Sequence, residues 1–120
     1  LARKIKPLML IVATELHVKN FWRFFAFVRH ASRSTRQARE ATGCLHVWVG
    51  NGGWRIGYTL TVWQDQDAML QYRNSGAHKE AMKKTKQLSS RIRTVVWEAD
   101  AMPDWKEAKA RLNEVALREL

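Results

Sequence analysis

Residues Cys44–Trp63 read CLHVWVGNGGWRIGYTLTVW, two segments of strand character on either side of Asn51-Gly52-Gly53. Asn and Gly in succession supply the positive-φ backbone that a tight hairpin needs, so the two segments are expected to pair antiparallel. Alternation sets Cys44, His46 and Trp48 on one face of the first strand and Leu45, Val47 and Val49 on the other. Ile56, Tyr58, Leu60 and Val62 share one face of the second. This hairpin sits mid-chain and constrains the rest, because a strand and a helix precede it and helices and a strand follow it.

Ahead of the hairpin, LMLIVATEL (Leu8–Leu16) is an unbroken apolar run of strand length behind Pro7, suited to a strand buried on both faces. Asn20 then caps a helix in which Phe21, Phe24, Phe25 and Val28 recur at helical spacing. It continues past Arg29, Arg33 and Arg36, one turn apart on one face, and ends at Thr42 and Gly43. Beyond the hairpin, Asp65 or Asp67 opens a helix carrying Ala68, Met69 and Tyr72, and Ser75 begins a further helical stretch, GAHKEAMKKTKQLSS. IRTVVWEA is a fourth strand. After Pro103, DWKEAKARLNEVALREL reads as an amphipathic helix with Trp105, Ala108, Leu112 and Val115 along one side.

The order β-α-β-β-α-β plus a tail helix predicts an α+β, ferredoxin-like fold. Right-handed crossovers place both helices on one face of a four-stranded antiparallel sheet. At 120 residues and 46% hydrophobic content the chain suits a single domain over 1–120, with a core at about 8–98 and a tail helix at about 103–118. The opposite sheet face has no evident cover, so a homodimer is expected, a two-fold contact burying the same patch on both subunits. A tail helix that crosses over would strengthen that interface.

A single cysteine, Cys44, excludes an internal disulfide and a Cys-rich metal cage, and suits a reducing cytoplasm, the expected location. The opening LARKIKPLMLIVATE imitates a secretory signal, but its apolar run ends early at Glu15, and a first strand is the expectation. No apolar stretch approaches the roughly 20 residues that span a bilayer. The net charge of +10 is unevenly spread: residues 1–97 hold 17 Lys and Arg against 5 acids, and 98–120 hold 4 against 6. A basic body attracts phosphate, an anionic membrane surface or an acidic small molecule. Arg29, Arg33, Arg36 and Arg39 with Lys83, Lys84 and Lys86 would form a stripe that contacts phosphates without reading bases. The lack of a helix-turn-helix, zinc-finger or RNP-type motif weighs against nucleic acid as the partner.

The succession LTVW (Leu60–Trp63), a short acidic turn, DAMLQY and then SGAHKEAM resembles the dimeric α/β-barrel superfamily of antibiotic-biosynthesis-type monooxygenases, over most of residues 8–98. The resemblance implies a dimeric α/β barrel with a pocket between helices and sheet. Members of that superfamily include cofactor-independent oxygenases, haem-degrading enzymes and haem proteins, so the resemblance leaves the reaction unassigned. It implies oxidation or binding of a small apolar or aromatic molecule, a cofactor-independent monooxygenase being the enzyme reading. The alternative is a non-catalytic ligand-binding or structural homodimer. The haem-degrading branch carries an Asn on the first strand, a Trp on the second helix and an iron-ligating His one turn further. The matching positions here are Thr14, Tyr72 and Met82; all three differ, so no cofactor is expected, the alternative being a haem held by the Met82 thioether.

His78 shares a helix face with Met82 at i, i+4, near Tyr72, which makes it a pocket candidate; the alternative is a first-turn residue bonded to backbone or to Ser75. Trp22, Trp48, Trp54, Trp63, Trp97 and Trp105 suit either an aromatic-lined pocket or core packing. Tyr72, His78, His46 and Arg29 are the polar groups expected to orient an enolate or phenolate, with a His taking the proton. Thr14, Trp48, Trp63 and Met82 are the expected pocket lining. No two histidines show metal-ligand spacing, so no metal site is expected, and Cys44 reads as packing.

Overall fold

The computed structural model describes residues 8–120, and the basic segment 1–7 lies outside them. The elements are β1 (Met9–Val18), α1 (Phe21–Glu40), β2 (Cys44–Gly52), β3 (Ile56–Trp63), α2 (Gln66–Arg73), α3 (Gly76–Leu88), β4 (Ser89–Ala99), α4 (Trp105–Asn113) and β5 (Arg118–Glu119). They form an antiparallel sheet in the order β2-β3-β1-β4-β5. The central strand β1 pairs with β3 from Leu10↔Trp63 to His17↔Ile56, and with β4 from Met9↔Ala99 to Val18↔Ser89. This is the ferredoxin-like arrangement anticipated from the order of segments.

Local chemistry sets the helix starts. Asn20 accepts from the Arg23 N–H at 2.9 Å, Asp65 from Ala68 at 2.8 Å and Asp104 from Glu107 at 2.8 Å, each filling one orphan donor of a first turn. Of the two aspartates offered for α2, Asp65 is therefore the cap. The hairpin needs only one left-handed residue, Gly53 at φ +62, while Asn51 and Gly52 remain in β2. Gly57 has a different role: a Cβ there would collide with the Phe27 ring, so its bare backbone lets α1 approach β3.

Register determines what each face carries. One face holds Ile11, Ala13, Leu60, Val62 and Trp97, and α4 lays Ala108 and Leu112 over them, with Trp48, Tyr58 and Trp105 packed around. The other holds Val47 and Trp63 beneath Ala38 of α1 and Met69 and Tyr72 of α2. Three expectations change. The second sheet face is covered, because α4 folds back on its own sheet. The tail helix ends at Asn113, short of about 118, because Arg93 donates to the Val115 carbonyl and the β4 edge takes up Arg118 and Glu119 as a fifth strand. A bulge between Cys44 and His46 breaks the alternation of β2, so Cys44 packs with Val47 on the α1 side while Trp48 lies on the α4 side.

Leu112 is fully buried, so Leu112→Ala should cost about 2–5 kcal/mol in urea unfolding. The exposed neighbour Lys106→Ala should stay within about 0.5 kcal/mol.

Candidate functional site

Trp63 ends β3, and the turn capped by Asp65 carries the chain directly into α2, so Tyr72 lies back over the indole. The two ring centroids are 4.9 Å apart. On its other side Tyr72 meets His78 of α3 at 4.4 Å, giving an aromatic series Trp63–Tyr72–His78. The Tyr72 hydroxyl is 2.7 Å from Ser34 Oγ and donates to the Ser34 carbonyl at 3.1 Å. Burial pushes its pKa up to about 12, outweighing the opposing Ser34 hydrogen bond, so Tyr72 is a neutral phenol.

The start of α3 is held from outside. Ser75 occupies the N-cap position but makes no side-chain cap; its hydroxyl donates to the Gln71 carbonyl at 2.7 Å. Gln37 of α1 substitutes, accepting from the His78 backbone N–H at 2.8 Å and donating through Nε2 to the Ser75 carbonyl at 2.7 Å. One amide thus fixes both the first turn of α3 and the position of His78. The His78 ring nitrogen Nδ1 lies 3.5 Å from the Arg73 carbonyl, too long for a strong hydrogen bond. Burial, with the Arg73 charge nearby, lowers the imidazole pKa, and the weak contact to the Arg73 carbonyl offsets only part of this. His78 is therefore neutral at pH 7 and able to accept a proton.

The sheet beside this series is apolar and incompletely covered. Val12 packs against the Trp63–Tyr72 cluster, and register places it next to Val96, which is 49% exposed. Two residues along, on the same face, Thr14 and Thr94 touch through their hydroxyls at 3.3 Å at the surface. The long helices thus leave a strip of β1 and β4 open. A cleft of about 270 Å³ runs along the same edge of β4, lined by Ile92, Thr94, Val115 and Arg118.

Of the eight residues singled out from sequence, Trp63, Tyr72 and His78 come together. Thr14 lies on the open strip, and Met82 is exposed on α3 one turn beyond His78. His46 and Trp48 stack on each other at 3.9 Å and 6°, but on the α4 side of the sheet, and Arg29 is exposed on α1. Ser34 and Gln37 were missed. Their signal is polar side chains recurring three residues apart within a helix whose arginines dominate the eye. Among the described residues no three His, Cys, Asp or Glu side chains converge on a point that would hold a metal. Of the three positions matched to the haem-degrading branch, Thr14 meets Thr94, Tyr72 meets Ser34 and Met82 is exposed on α3. Burial raises the Cys44 thiol pKa, which leaves it a poor nucleophile.

Between its lowered pKa and the ordinary 6.5, His78 binds fewer protons folded than unfolded, so stability rises with pH through that window and is complete above it. Melting temperature should fall as pH drops from about 7 to about 5, and His78→Gln should flatten that segment. Glu15 acts in a separate, more acid window: burial alone would raise its pKa, but Arg93 and His17 outweigh that and lower it, so its contribution is lost only as pH falls through the carboxylate range. Gln37→Ala should cost about 1–2 kcal/mol in urea unfolding, the scale of a lost helix cap.

The fold recurs in solved structures of low identity. A variant of SnoaB, a cofactor-independent oxygenase from Streptomyces nogalater, superposes at TM-score 0.66 with 12% identity, over 78% of this chain and 95% of that one. A Nitrosomonas europaea protein provisionally assigned to the antibiotic biosynthesis monooxygenases gives TM-score 0.70 at 8% identity, over 81% and 95%. A conserved protein of unknown function from Bacteroides thetaiotaomicron, suggested to be an oxidoreductase, gives 0.69 at 12%, over 78% and 99%. These likenesses make the fold that of the dimeric α/β-barrel, antibiotic-biosynthesis-monooxygenase type. No curated protein matches the chain significantly in sequence. The family model of the domain of unknown function DUF3291 matches residues 23–118, and the chain belongs to that family.

Proposed function

We propose that this protein binds a small apolar or aromatic molecule bearing an acidic hydroxyl against the open strip of sheet around Val12 and Val96, with His78 as its proton acceptor. The observation that carries this reading is a neutral, half-buried imidazole packed on a neutral phenol beside apolar sheet surface that the helices leave uncovered. An apolar wall with a few placed polar groups is what small-ligand sites require. The reaction favoured is oxygenation without a cofactor. A phenol or enol gives its proton to His78, and the resulting electron-rich anion is oxidised by O₂. One oxygen atom ends as a carbonyl on the substrate carbon that lost its hydrogens, and the other leaves as water. The substrate's own C–H bonds supply the electrons.

The fold also supports a second copy as partner. Val49 remains exposed, and β2 is an edge strand with one side unpaired among the described residues. The homodimer proposed here uses such surface, since α4 already occupies the opposite face.

An anthrone carrying a free hydroxyl is a suitable probe. Tryptophan quenching should report saturable binding, and an oxygen electrode should show one O₂ consumed per product. His78→Ala should lower turnover by about 10²- to 10⁴-fold while leaving binding measurable. Binding with no oxygen uptake would assign the chain to ligand binding without catalysis; binding unaffected by Val96→Glu would place the ligand elsewhere. Light scattering should give twice the chain mass.

A further inference from the structure

At the end of the sheet where β1 hands over to α1, five apolar side chains form a surface that the core does not use. Trp22 is 79% exposed, Phe25 56%, Phe21 46% and Val28 43%, and Trp54 reaches them from the β2–β3 turn. The rings are interlocked: Phe21 meets Trp22, Phe25 and Trp54 edge-on with centroids 5.4 to 5.8 Å apart. Large aromatic side chains left in water at this density mark a contact surface.

The same end carries concentrated positive charge. A cleft of about 570 Å³ opens beside Trp54, lined by His17, Lys19, Arg55, Ser90, Arg91 and Glu119. Arg55 lies over the Trp54 ring at 5.3 Å, so the cleft and the aromatic surface share a wall. The acidic side chain of its lining, Glu119, is exposed and lies 3.8 Å from Arg91. Lys19 donates once, to the Lys86 carbonyl at 3.1 Å, and keeps two donors free. From Lys19 to Arg39 the chain holds six Lys and Arg and no acid.

We propose that this end of the molecule docks on an anionic bilayer surface. Phe21, Trp22 and Phe25 enter the headgroup–acyl boundary while Lys19, Arg55 and Arg91 receive lipid phosphates in the adjoining cleft. An amphipathic helix end with aromatics on one side and cations beside them is suited to lie in the interface plane. A second copy is a poorer occupant, because a two-fold contact through this patch brings Lys19, Arg23 and Arg55 against their own equivalents. Stacked bases are poorer as well: they need flat ring faces, and here the Arg55 guanidinium covers that of Trp54.

The test is co-sedimentation of the full chain with vesicles of equal parts phosphatidylglycerol and phosphatidylcholine, against phosphatidylcholine alone. Binding should be confined to the anionic vesicles and weaken as salt rises. Arg55→Gln with Arg91→Gln should lower partitioning by about thirtyfold, each surface cation contributing on the order of fivefold. Trp22→Ala with Phe25→Ala should lower it at least about tenfold with an unchanged circular dichroism spectrum. Equal binding to both vesicle types, or no binding to either, would overturn the proposal. So would an aromatic pair variant that binds vesicles normally but loses self-association or retention of a single-stranded oligonucleotide.

Discussion

Arg93 is the side chain through which α4 is joined to the sheet. From β4 its guanidinium reaches Glu15 on the central strand at 2.9 Å, Asn113 at the end of α4 at 3.0 Å and the Val115 carbonyl at 3.4 Å. Glu15 is buried and also holds His17 at 2.7 Å. Removing one member of such a buried pair leaves an uncompensated charge, a loss of about 3–5 kcal/mol, so the network fixes where α4 can lie. With α4 in place, Ile11, Ala13, Leu60 and Val62 are withdrawn from solvent almost completely. The sheet thus has a cover on each side and does not need a second chain to shield this core.

That arrangement moves the open chemistry to the opposite side. Over β1 and β4 the α1–α3 layer leaves Val96 and the Thr14–Thr94 pair at the surface, whereas over Trp63 it closes tightly. The closure is polar at its rim: Ser34 bonds Tyr72, and Gln37 bonds the start of α3. These contacts hold α1 against α2 and α3 without filling the space above Val96. A ligand site there would be rigid at the His78 end, where its proton acceptor is anchored, and open at the other. Rigid anchoring of the reacting group is what proton transfer needs.

The sequence disclosed the strands and helices because their signals are local. Asn20, Asp65 and Asp104 cap through atoms three residues away, and hydrophobic alternation in Ile56–Val62 needs only the pleat of one strand. The joining of Trp63, Tyr72 and His78 was also within reach, since one strand end, one helix end and one helix start lie close in the chain. What remained hidden depends on distant partners. The Cys44/His46 bulge follows from pairing with β3, and it sets Cys44 on the face opposite His46 and Trp48. Gln37 caps a helix that begins 39 residues later, a pairing that no local pattern encodes. The fate of the tail was decided by Arg93, whose partners come from β1 and from beyond α4.

The length of α1 keeps two surfaces apart while tying both to one rigid body. Trp22 and Gln37 are fifteen residues apart on that helix, about 22 Å at 1.5 Å per residue. The aromatic, cationic end lies where β1 finishes, and His78 lies beyond Gln37, toward the end where β1 begins. A substitution at Trp22 therefore touches no side chain of the Trp63–Tyr72–His78 series. Because α1 is continuous between them, a protein resting on a surface through its first turns would hold the Val96 strip at a fixed height and angle from that surface. An apolar ligand partitions into a bilayer before it meets any protein. A site held at the interface draws on that local concentration, and this is a physical reason for an exposed aromatic helix end and a neutral imidazole to occur on one helix-linked frame.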